Sequence, residues 1–176
     1  MNHSSLKYKD EADRSLGLAG TAIAIHVWKG QDNLIAMDLD TEPGQGLSMS
    51  PEFGFGGNPR LSARLAWQIM LKHLELTTAM VAGNVMCRSY VGNARPLSSQ
   101  ARATLRALVH DEGQRACQLD DDECDRLLAR ILDIQQQLFS HSGVAAIARR
   151  LAADFVADRR LSAAEIADRL AALGSL

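Results

Sequence analysis

The segment from Thr41 to Asn58 sets the first constraint on this chain. It carries Gly44, Gly46, Gly54, Gly56 and Gly57 together with Pro43 and Pro51, residue types that punctuate regular structure. Loops this long are uncommon inside compact domains and often serve as lids or binding loops. A plainer alternative is a surface connector held down by Phe53 and Phe55 docking on the core. Either way, a short part before residue 41 is separated from a long part after residue 58.

In the short part, Thr21 to Trp28 alternates. Ile23, Ile25 and Val27 face one side, and Ala22, Ala24, His26 and Trp28 the other, a period of two. Lys29 to Asn33 is a turn candidate, and Leu34 to Asp40 alternates again with Ile35, Met37 and Leu39 together. The spacing predicts a β-hairpin over 21–40. A lone hairpin is marginal in water, so it must lie on helices or pair with another chain. Residues 1–20 are polar with scattered leucines, and a flexible arm is expected, with a helical turn around Lys9 to Leu16.

After the break the chain reads helical. Asn58 suits an N-cap and Pro59 the first helical position. Arg60, Arg64, Gln68, Lys72 and Glu75 form a narrow polar stripe, while Leu61, Leu65, Trp67, Ile69, Met70 and Leu74 fill the remaining surface. So narrow a stripe implies a helix enclosed on most sides. Gly83-Asn84 leaves open whether that helix is kinked or replaced by a second, and Gly92 to Pro96 ends it. Ser98 or Ser99 caps the next helix, whose last turn Gly113 weakens by about 1 kcal/mol. Asp120 and Glu123 make a capping-box pair, and Ser140 to Gly143 separates that helix from one carrying Val144, Ile147, Leu151 and Phe155. Ser162 and Glu165 open the last helix, with Leu161 and Ile166 as its hydrophobic staple and Gly174 as its end. The expected fold class is α+β, mostly α: an N-terminal β-hairpin packed on a bundle of about five helices. Residues 21–176 then form a single domain, with the loop at 41–58 and helices over 59–176.

With 176 residues, 47% of them hydrophobic, and a net charge of −2, the chain can bury a core and is not disordered throughout. No window of about 18 residues is free of charge, which excludes a membrane-spanning helix. The balance of 19 Lys and Arg against 21 Asp and Glu speaks against nucleic acid or an anionic membrane as the general partner. Mixed charge over Lys7 to Arg14 does not read as a secretory signal, and three irregularly spaced cysteines read as reduced thiols. A cytoplasmic setting is expected.

Candidate chemistry is sparse. Asp120 to Glu123 could share Mg²⁺ or Ca²⁺, but acids in a first helical turn are what the helix dipole favours. His110, Asp111, Glu112, Cys117 and Cys124 lack zinc spacing, and no Glu-x-x-His pair suggests a di-iron bundle. Cys87 could be a nucleophile only if a histidine (His26, His73 or His110) met it in space, and free cysteine is usually buried. No G-x-S-x-G elbow is present. The glycine-rich lead into a helix start makes Gly56, Gly57, Asn58, Arg60 and Arg64 a candidate anion site, although it matches neither nucleotide fingerprint. Arg160 to Leu170 resembles the first helix of helix-turn-helix modules, but no groove-reading helix follows before Leu176. Met37, Met49, Met70, Met80 and Met86 could line an adaptable groove.

No metal, cofactor or catalytic group is expected, and the reading leans away from an enzyme. The leading expectation is a cytosolic accessory or regulatory protein acting through protein association, as a homodimer or with another protein, using the hairpin edge and the Met-rich helix. The alternative is a protein or enzyme binding a small anion beneath the glycine-rich loop. A nucleic-acid-binding regulator is the third.

Overall fold

The computed structural model describes residues 7–42, 44–53 and 63–175, with the backbone alone for 63 and 64. The fold is α+β and mostly α. Its described residues form α1 (Glu11–Val27), β1 (Leu34–Asp38), β2 (Leu47–Met49), α2 (Ala63–Cys87), α3 (Ser99–Glu112), α4 (Asp121–Ser140), α5 (Ser142–Asp158), β3 (Arg160–Ser162) and α6 (Ala163–Leu170). None of these helices is long and apolar enough to cross a membrane.

The first correction concerns α1. Thr21 to Val27 is helix rather than strand, and Glu11 to Gly20 belongs to the same helix rather than to an arm. Asp10 caps it by accepting from the Asp13 amide at 2.7 Å, and Glu11 and Asp13 occupy the positive end of the dipole. The alternation failed as a signal because both of its faces are apolar. Every residue from Gly17 to Ile25 is buried, and a helix enclosed all round has no polar stripe to display its period.

The hairpin at this end of the chain is instead β1 with β2, antiparallel, pairing Ala36 with Ser48 and Met37 with Leu47. The expected structureless loop thus contains a strand, followed by a 3₁₀ turn at Pro51–Phe53. A register shift between Leu34 and Ala36 acts as a bulge. It turns Ile35 outward (49% exposed) while Met37 and Leu39 stay buried. β3 pairs antiparallel with the other edge of β1, Met37 opposite Leu161, giving the order β2-β1-β3. Both edges of β1 are therefore occupied within the chain, and the outer edges of the sheet among the described residues are the three-residue strands β2 and β3.

α2 runs unbroken to Cys87, so no second helix begins at Gly83. That glycine is a contact point. A Cβ at Gly83 would lie 2.7 Å from the Gly20 carbonyl oxygen and 2.8 Å from Ala24 Cβ. The backbones of α1 and α2 touch where only glycine fits. The caps behave as local chemistry predicts: Ser98 accepts from the Ala101 amide, and complete capping boxes form at Asp120/Glu123 and Ser162/Glu165. The staple residues Leu161 and Ile166 are both buried.

A second correction concerns the start of α2. Leu65 and Trp67 are 44% and 41% exposed, and Leu74 is the first buried residue of the helix among those described. The apolar ridge is open at its beginning rather than enclosed. The proposed cap Asn58 and Pro59 lie outside the described residues.

Candidate functional site

Helices α1 and α2 run antiparallel, as three contacts along their length show. Asp13 meets Arg88 at 2.6 Å, Asn84 sits against the position of Gly17, and Thr21 Oγ1 lies 3.5 Å from the Met80 carbonyl. On α1, Arg14, Leu18 and Thr21 share one face at helical spacing; on α2, Met80, Val81, Asn84 and Val85 share another. These faces diverge into a cleft of about 740 Å³. Met37 of β1 lines it, as do Gly44, Gly46 and Leu47 between and within the hairpin strands, while Lys7 and Tyr8 border it too. Sites for small molecules typically have this size and apolar character.

The polar groups fall into two sets, one around Asn84 and one around Arg14. Asn84 Nδ2 donates to the Tyr8 hydroxyl at 3.0 Å and to Thr21 Oγ1 at 3.3 Å, and Thr21 donates to the Gly17 carbonyl. Because the Tyr8 oxygen accepts from Asn84, its own proton is left to donate. Arg14 donates through Nη2 to the Thr41 carbonyl and reaches Thr41 Oγ1 at 3.3 Å. Glu11 and Asp40, whose carboxyls feel the Arg14 charge, are both engaged by Arg159, at 2.9 and 2.6 Å. Among the described residues no Asp or Glu lines the cleft, whereas Lys7 and Arg14 do.

A buried clamp holds Tyr8 in place. Arg88 opens the π-helical turn Arg88–Gly92 that follows α2, and such turns often mark functional sites. Its Nη2 donates to Asp13 at 2.6 Å and to the Lys7 carbonyl at 2.7 Å, and its guanidinium lies 4.7 Å from the centre of the Tyr8 ring. Both partners of the Arg88–Asp13 pair are only 9% exposed. Burial pushes the Asp13 carboxyl up, but hydrogen bonds from Arg88 and the Lys9 amide outweigh it and hold the group below its usual range. The pair is therefore ionised at neutral pH and pins residues 7–9 beside the cleft.

The site expected from sequence falls elsewhere. Gly56, Gly57, Asn58 and Arg60 lie outside the described residues, as does the side chain of Arg64. What the structure adds is a cavity against the first half of the same loop. Of the two aromatics expected to dock, Phe53 packs on the core, its ring centre 4.6 Å from that of His73, and Phe55 lies outside the described residues. Of the methionines, Met37 and Met80 border the cleft, and both belong to the buried core with Met86. Sequence alone hides Tyr8 and Arg14 because residues 1–20 read as an arm, Thr21 because it opens an alternating run, and Asn84 because it reads with Gly83 as a helix interruption; a helix over 11–27 puts Arg14, Leu18 and Thr21 on one face.

The other candidates have structural partners. His110 sits between Asp121 (3.1 Å) and Asp125 (2.8 Å), and Arg106 grips Asp125 through two bonds of 2.6 and 2.7 Å, fastening α3 to α4. No group of three or more His, Cys, Asp or Glu among the described residues is placed to hold a metal ion. Cys87 is wholly buried, and burial pushes its thiol up to about 12, which the Arg149 charge only partly offsets. The segment from Arg160 is tied into the sheet through Leu161, and Ile166 and Leu170 are buried. Searches of protein-family models, curated proteins and solved structures found no match to this chain.

Proposed function

We propose that this protein binds a small anionic molecule in the cleft between α1 and α2, as a non-catalytic carrier or sensor in the cytoplasm. One observation carries the reading: a largely apolar cleft with Lys7 and Arg14 on its lining and no acid among its described residues. An anion entering it gains charge-assisted hydrogen bonds while its apolar part leaves water. The hydroxyls of Tyr8 and Thr21 and the Asn84 amide serve recognition rather than proton abstraction, since no His, Asp or Glu stands beside them on the cleft among the described residues. Three free, buried cysteines suit a reducing cytoplasm.

A thermal-shift screen of neutral, cationic and anionic fragments against the full chain tests this. Anionic hits should raise the melting temperature, and Val81→Trp, at a 39% exposed position on the cleft, should abolish the rise while leaving the apo protein folded. If no fragment binds, or if Val81→Trp leaves binding intact, the proposal fails.

A second reading, association with another copy of the chain, rests on Trp67. Its indole donates to the Cys117 carbonyl at 2.9 Å and yet stays 41% exposed. A large aromatic held rigid at the surface is a typical anchor of an interface. Sedimentation equilibrium should show a concentration-dependent dimer that Trp67→Ala weakens; a monomer at high micromolar concentration defeats this reading.

A further inference from the structure

Resting on the cleft being a binding site, we infer that its ligand is a single-chain amphiphile, a medium-length acyl tail ending in one carboxylate. The grounds are the chemistry of the lining. At the start of α1 stands the Arg14 guanidinium on Thr41; part-way along, Asn84 joins the Tyr8 hydroxyl (3.0 Å) to Thr21 (3.3 Å). Leu18, Met37, Leu47, Met80 and Val85 add only apolar side chains to the lining.

From Arg14 to Thr21 the cleft follows α1 for about 10 Å at 1.5 Å per residue, within reach of a medium-length acyl chain. Two of its walls are methionines, unbranched side chains that adapt to tails of different length. A compact anion such as inorganic phosphate leaves these walls against water. A plain hydrocarbon or alcohol strips solvent from Arg14 without supplying a counter-charge. A molecule with both parts suits both Arg14 and the apolar side chains.

Arg14 sets the head-group choice. It is anchored on the Thr41 carbonyl, and with Glu11 and Asp40 held by Arg159 it has no carboxylate within ion-pair distance among the described residues. Thr41 precedes the Gly44 to Leu47 segment that lines the cleft, so the head group is recognised where the hairpin loop meets α1.

The test is calorimetric titration of the full chain with decanoate, decanol and decyltrimethylammonium, each below its micelle concentration. Decanoate should bind one-to-one and at least about ten-fold tighter than decanol, the scale of a hydrogen bond to a charged group. Affinity should rise about four-fold per methylene between octanoate and decanoate. Arg14→Gln, which keeps a donor for Thr41, should erase the preference for decanoate without weakening decanol binding, and Arg14→Lys should restore it. Decanol binding as tightly as decanoate, equal loss of both in Arg14→Gln, or tightest binding of the cation each overturns the inference. Co-sedimentation with phosphatidylglycerol vesicles separates a free amphiphile from a membrane lipid; vesicle binding without decanoate binding also overturns it. If other fragments bind the cleft but decanoate does not, the amphiphile assignment falls and the broader binding proposal stands. If nothing binds, both fall.

Discussion

Gly83→Ala is the sharpest probe of how the cleft is built. In the interior of a helix the change should stabilise by about 1 kcal/mol through backbone entropy and propensity. Here the new methyl meets the Gly20 carbonyl oxygen at 2.7 Å and Ala24 Cβ at 2.8 Å. Ordinary contact begins near 3.4 Å, so the helices must part by roughly 0.7 Å, the difference between those two distances. Neither obstacle can swing aside, since one is backbone and the other a Cβ. A gap of that size forfeits roughly a quarter to a half of each dispersion contact across the crossing, and overpacking costs up to about 3 kcal/mol. Subtracting the propensity gain leaves a net loss of about 2 kcal/mol, or about 4–8 °C in melting temperature for a chain of this size. Urea and thermal unfolding followed by circular dichroism read both quantities. Gly92→Ala is the control, because its methyl meets only the tip of Leu16, at 3.0 Å, and it should shift stability by less than about 1 kcal/mol. A Gly83→Ala protein as stable as the parent would refute the argument that this crossing sets the spacing of α1 and α2.

Other expectations follow from the same contacts. Arg88→Met strands the Asp13 carboxylate and should lower stability by about 3–5 kcal/mol; a loss under about 1 kcal/mol in urea unfolding would contradict the buried pairing. Folded Asp13 titrates below its usual range, so its contribution is complete above the unfolded value of about 3.9 and is lost as pH falls through the folded value. Asp13→Asn should therefore flatten the acid limb of a stability-against-pH curve, and an unchanged slope would count against it. Cys87, pushed up to about 12 by burial, should resist thiol reagents at pH 8 in the native protein and react once unfolded; fast native labelling of that residue, located by mass spectrometry, would show the opposite. Asp120→Ala removes the cap accepting from Glu123 at 2.7 Å and should cost about 1 kcal/mol, equally with and without Mg²⁺. A cost that appears only with Mg²⁺ would restore the metal reading of those acids.

The helices after residue 63 were legible because their signals are local. Asp120 with Glu123, and Ser162 with Glu165, are three residues apart, and a cap closes within one turn whatever the rest of the chain does. The amphipathic stripes of α3 to α5 were legible for a related reason: each has one face in water, so polarity records the period. Part of the cleft was legible too, since the glycines after Thr41 marked a loop worth lining and Met37 and Met80 marked an adaptable wall.

The state of residues 11–27 was decided by tertiary structure. Enclosure of residues 17–25 makes both faces of that part of α1 apolar, and the period that separates helix from strand vanishes there from the sequence. The same enclosure hid the role of Gly83, because a glycine required by a neighbouring backbone reads in one dimension like a helix breaker. The cleft itself draws on residues 7–21, 37–47 and 80–85, segments far apart in the chain. They meet only because α1 and α2 cross at two glycines and β3, arriving from the C-terminal side, completes the sheet beside β1. Local hydrogen bonding wrote the helix ends into the sequence; long-range packing chose which side chains share a site.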